Sequence, residues 1–202
     1  MHAGMPRNFF RWRNGSKTKK MVKYKASKSP EITLRVVHLP SEMFNDVLYF
    51  KEAAESLPTD PNHDFERWRY LRAAIIFSFI TIESYINEFI KSSLEKKKLS
   101  PSAKKFLENS RRSTSEKLTL GVELITGKEF DIASSEYNNF ERLQKTRNKL
   151  IHFKGEREIY TRDITIPRVE EAIETVRGLI KKIHELDDTP YPQFIDKKKS
   201  FM

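Results

Sequence analysis

Residues 140–154, FERLQKTRNKLIHFK, bring an arginine, an amide and a histidine together on a segment that otherwise has the spacing of an amphipathic helix. An imidazole titrates near neutral pH and can take up and return a proton. A guanidinium stays charged and can hold a phosphate or the extra charge of a pentacoordinate phosphorus. Arg147, Asn148 and His152 are therefore the candidate catalytic residues.

The helical stripe around them has a gap. Phe140, Leu143, Leu150 and Ile151 keep the three- and four-residue steps of a buried face, but the step from Leu143 lands on Arg147. A guanidinium there is costly unless it is paired or lines a cleft. Helix pitch sets Asn148 and His152 about 40° apart around the axis, whereas Arg147 and His152 diverge by roughly 140°. One copy of the helix therefore does not easily close both groups on one point. Two copies related by a twofold axis would surround a shared groove with two arginines and two histidines, so a homodimer is expected.

At these residues the chain resembles the HEPN family, the helical domains named for higher-eukaryote and prokaryote nucleotide-binding proteins. Many members carry an arginine, often followed directly by asparagine, with a histidine four to six residues later, as in Arg147, Asn148 and His152. FSFITIESYINEFI upstream is similar to the second helix of such domains, and the resemblance covers roughly residues 41–187. It implies an all-α bundle of about four to six helices and a metal-independent endoribonuclease that works as a dimer, often in toxin–antitoxin or anti-phage defence systems. RNA is then the expected partner, with an antitoxin or a nucleotidyltransferase subunit as further candidates. No cofactor is implied. Lys145, Lys149 and Lys154 would support the RNA backbone, and Glu83 becomes a candidate for positioning Arg147 or His152. Asn87, four residues on, shares a helix face with Glu83 and joins it as a supporting residue. A structural alternative pairs Arg147 with Glu83 or Glu88 and leaves the site without chemistry.

The scaffold follows from periodicity and punctuation. EITLRVVHL, residues 31–39, is β-branched enough for a short strand or extended arm before Pro40. Ser41 is the expected cap of a first helix running to about Leu57, which PTDPNHD breaks. A long helix from about Phe65 to Lys97 is apolar almost all round, as the middle of a bundle requires. Glu83, Asn87 and Glu88 interrupt it before a membrane span is reached, so no membrane partner is expected. Ser100-Pro101 opens a helix to about Asn109, RRSTSEK reads as a linker, and Glu116–Thr126 is a short helix stopped by Gly127. Ser134 or Ser135 caps the central helix. Pro167 opens a last one to about Leu186, after which TPYPQF leaves the bundle.

Charge divides the 202 residues into a basic leader at 1–30, a helical domain at 31–190 and a basic tail at 191–202. The leader holds nine Lys/Arg and no acid. Removing its charge, and the net two of residues 196–202, from the formal +10 leaves −1 for residues 31–195. Such a leader, expected to be flexible, would raise local RNA concentration through salt-sensitive contacts, with Phe9, Phe10, Trp12 and Tyr24 able to stack on bases. It lacks the apolar core of a secretory signal, and the absence of cysteine suits a reducing compartment, so a cytoplasmic location is expected. His2, His38, His63, His152 and His184 have no zinc-binding spacing, and no metal site is expected. A non-catalytic helical module that binds RNA, a nucleotide or a protein partner is the competing function.

Overall fold

The structure is a computed structural model and describes residues 38–151 and 164–200. The leader, His152, Lys154 and the segment after them to residue 163 lie outside the described residues.

The long apolar helix organises the rest. Designated α2, it runs Asp64–Lys96 over 33 residues, with Asp64 and Glu66 in the first turn, where the helix dipole favours negative charge. It buries Leu71, Ala74, Ile75, Phe79, Ile82, Ile86 and Ile90 against its neighbours. Buried Ser78 and Thr81 do not interrupt this packing, because their hydroxyls donate to Ala74 O and Phe77 O, each at 2.8 Å. By length and composition α2 could cross a membrane, yet half of its most apolar stretch is covered by the other helices.

Helix α1, Leu39–Ser56, packs along α2 through Phe44, Val47, Leu48 and Ala54. Its cap differs from expectation. His38 rather than Ser41 is the N-cap, with His38 Nδ1 accepting from Ser41 N at 3.2 Å and Pro40 in the first turn, where a missing N–H costs nothing. Leu39 is thus helical and not part of a strand, and residues 31–37 of that expected strand lie outside the described residues. The α1–α2 corner is tied by Arg67, whose guanidinium donates to Leu57 O at 3.1 Å and to Asp64 Oδ1 at 3.0 Å.

Helix α3 is Pro101–Leu107, with Ser100 Oγ accepting from Ala103 N at 3.2 Å. The expected linker RRSTSEK is partly helical instead. Ser113 and Glu116 form a reciprocal capping box that opens α4, Thr114–Glu116. A five-residue π turn, Lys117–Gly121, leads on into α5, Val122–Thr126, and Gly127 ends it at φ 72°, a conformation other side chains resist. Helix α6, Ser135–Ile151, carries the candidate motif, and α7, Ile166–Leu186, runs antiparallel beside it. The expected α7 stripe is buried in full: Val169, Ala172, Ile173, Val176, Leu179, Ile180 and Ile183. The described residues are an all-α bundle.

TPYPQF does not leave the bundle. Residues 193–196 form a 3₁₀ turn whose Ile195 is fully buried, and Phe194 meets the edge of Phe44 at 6.0 Å. Arg177 holds this segment by donating to Ile195 O at 2.8 Å, and farther along Ser200 N donates to Glu52 Oε1 at 3.0 Å. Backbone carbonyls that a guanidinium can reach, and an apolar pair that fills a gap between α1 and α7, outweigh the proline content that suggested an exit.

At the start of this segment Tyr85 of α2 meets His184 Nε2, and His184 Nδ1 lies 2.7 Å from Thr189 Oγ1. Asp187, beside them, is paired with Lys97. Burial pushes the His184 pKa down more strongly than Asp187 raises it, so the neutral ring is favoured. The unfolded histidine takes up a proton below about pH 6.5, before the folded one does, so this contribution to stability is present above that pH and is lost as pH falls through the lowered folded value. Urea denaturation between about pH 8 and pH 5 should show falling stability for the native chain and a shallower fall for His184→Asn. Equal slopes would remove His184 as a cause.

Candidate functional site

Arg147 lies where the stripe of α6 turns inward. Phe140 is fully buried and stacks on Phe79 of α2, with ring centroids 6.0 Å apart and planes 18° from parallel. The Arg147 guanidinium covers the same Phe79 ring, 4.9 Å from its centroid. The half-buried arginine thereby occupies the place an aliphatic residue would fill, using its stem for packing and its head as a cation over an aromatic face.

Its polar atoms are treated unequally. Nη1 donates to Asn148 Oδ1 at 3.0 Å, whereas Nε is buried without a hydrogen-bond partner among the described residues. Among the described residues no carboxylate pairs with Arg147. Glu88 is engaged by His38 at 3.1 Å, and Glu83 Oε1 accepts from Thr114 Oγ1 at 3.4 Å. Neither acid that could have neutralised the arginine does so, and among the described residues Glu83 makes no bond to Arg147.

The other candidates fall on two sides of α6. Asn148 is exposed beside Arg147, whereas Lys145 is paired with Glu141 at 3.3 Å one turn back along its own helix. Lys149 is exposed near the helix end. Asn87 does not approach Arg147; its Oδ1 accepts from Lys117 Nζ at 2.9 Å. Gln144, one turn before Arg147, receives Ser115 Oγ at 3.4 Å. His152 and Lys154 lie outside the described residues, so the histidine member of the set has no described geometry.

Ser115 and Lys117 were missed because RRSTSEK reads as polar linker. The Ser113-x-x-Glu116 spacing is a capping-box signal that could have placed a helix start there and turned attention to the residues just inside it. The opposite side of α6 borders an open groove of about 420 Å³ shared with α7. Its glutamates are matched by cations: Glu171 with Arg168 at 2.6 Å, Glu174 with Arg177 at 2.6 Å, and Glu170 with Lys51 at 3.4 Å. Arg142, which also lines the groove, donates to Asn139 Oδ1 and is paired with no carboxylate among the described residues. Among the described residues no group of three His, Asp or Glu side chains is arranged to hold a metal ion.

Comparisons with protein-family models, curated proteins and solved structures return no match to this chain.

A buried Nε without an acceptor costs about 1–3 kcal/mol, while a cation over an aromatic ring returns roughly 0.5–2 kcal/mol. Arg147 therefore contributes little net stability. Arg147→Met, which keeps the stem and removes the charge, should unfold at the same denaturant concentration as the native chain or a higher one. A loss of about 2 kcal/mol or more would mark the arginine as a structural residue instead.

Proposed function

We propose that the chain is a metal-independent endoribonuclease of the HEPN type, in which Arg147 holds the scissile phosphate. The observation that carries this is the Arg147 guanidinium kept on Phe79, with no carboxylate paired to it and no acceptor at Nε among the described residues. Stability does not explain such a residue, whereas a phosphate oxygen at its Nη groups would engage the charge. Asn148, accepting from Nη1, fixes the guanidinium's orientation and leaves its remaining donors for the substrate.

In the proposed reaction one histidine accepts the proton of a ribose 2′-hydroxyl as the 2′-oxygen bonds to phosphorus. The bond from phosphorus to the 5′-oxygen breaks, and that oxygen is protonated as it leaves. The products are a 2′,3′-cyclic phosphate and a 5′-hydroxyl. His152 supplies the acid and base, and Arg147 stabilises the added charge on phosphorus. Because the nucleophile belongs to the ribose, DNA is inert.

A homodimer would place both histidines at one groove. Ala73, Ile76, Phe77 and Ile80, at steps of three and four along α2, are half-buried, with Phe77 lying against Phe50 of α1. That outer stripe is the apolar surface a second copy would cover. Toxin–antitoxin or anti-phage roles, and a cytoplasmic location, remain part of the proposal through the family resemblance.

Purified protein with RNA and a chelator should yield cyclic-phosphate ends, and His152→Ala should be slower by about 10²- to 10⁴-fold. Undiminished cleavage by that variant, or cleavage that needs added metal, would refute the mechanism. RNA binding without cleavage would support a non-catalytic module. Separately inactive Arg147→Ala and His152→Ala chains should regain partial activity when mixed and allowed to exchange. Heterodimers that stay inactive would argue against a site shared between subunits.

A further inference from the structure

We infer that Lys117, oriented by Asn87, is a second phosphate-binding residue, so that the substrate is a single RNA strand running from Arg147 across α4 to the π turn. This rests on the ribonuclease proposal and adds a substrate-binding residue to it. A track of polar groups connects the two cations. Gln144 and Arg147 are one turn apart on α6, Ser115 Oγ reaches Gln144 Oε1 at 3.4 Å, and Lys117 begins the π turn two residues after Ser115.

The π turn sets the direction of Lys117. Val122 N–H donates to Lys117 O, an i to i+5 bond that widens the helix by one residue. Leu118 and Val122 are both fully buried, and the Lys117 side chain lies against α2. There Asn87 Oδ1 accepts from its amine at 2.9 Å. Glu83, one turn earlier, is turned to Thr114, so a neutral amide rather than a carboxylate fixes the cation.

That choice of partner matters. Lys51, Lys97, Lys128, Lys145 and Lys182 each face a carboxylate, which cancels their charge locally. An amide orients an ammonium without neutralising it, leaving its full charge and two of its three donors for an incoming anion. The groove on the other side of α6 sets Arg142 among three glutamates, whose carboxylates disfavour an anion, so the phosphate backbone has reason to take the Gln144, Ser115 and Lys117 side. The bound chemistry is a phosphodiester one or more nucleotides from the scissile one.

The test is steady-state cleavage of a ribo-oligonucleotide by the native chain, Lys117→Gln, Lys117→Arg, Asn87→Ala and, as a control, Lys182→Ala, with folding checked by thermal denaturation. Lys117→Gln should raise KM about tenfold and flatten the dependence of log KM on log salt by about 0.7, the share of one phosphate on a single strand. Lys117→Arg should recover most of both effects. Asn87→Ala should raise KM less and keep the native salt slope, because it loses orientation but no charge. If the native chain cleaves RNA and Lys117→Gln behaves like Lys182→Ala, this inference fails and the ribonuclease proposal stands. If the native chain neither cleaves nor binds RNA, both fall.

Discussion

The arrangement depends on a guanidinium lying on a phenylalanine ring that is itself stacked against another. Phe79 of α2 meets Phe140 of α6 through one part of its surface and Arg147 through another, so the same ring that joins two helices also fixes where the charge sits. Moving α6 by one residue would lose both contacts. The long central helix therefore has a second role besides filling the core, because it provides the wall against which α6 must present its arginine.

Around that wall, charge is handled differently from place to place. Most fixed cations on the outer surface are matched by acids, and exposed pairs of this kind contribute little to stability. Arg147, Lys117 and, on the other side of α6, Arg142 are held instead by amide oxygens, which orient a charge and leave it uncancelled. With residues 31–195 summing to −1, these local exceptions rather than net charge would have to recognise an anion. The basic leader would add long-range attraction, and the site would add geometry.

The helices were legible where one property decided them. The apolar run of α2, the sustained stripe of α7 and the Gly127 stop are one-dimensional signals, and they hold in the structure. The break in the α6 stripe at Arg147 was also visible, since a missing hydrophobe at a buried step needs no knowledge of the partner helix. What surrounds Arg147 was not. Glu83 and Asn87 share a face of α2, but which neighbour reaches that face depends on the short capped segment at Ser113, whose serines and threonine read as linker composition. The turn at 193–196 was missed for a related reason. Tyr191 and Pro192 have the look of an exit, and only the position of Arg177 across the bundle, with backbone carbonyls in reach, draws the chain back.

The central claim is that Arg147 is kept uncancelled in order to receive a phosphate. Its side-chain Nε–H signal, assigned in an NMR titration by its absence in Arg147→Met, tests this without relying on turnover. Addition of an RNA oligonucleotide with 2′-O-methyl sugars at every position, which cannot be cleaved by 2′-hydroxyl attack, should move that signal saturably as the guanidinium gains a phosphate acceptor. A signal that stays in place while other resonances report binding would show that the phosphate is held elsewhere and would contradict the account.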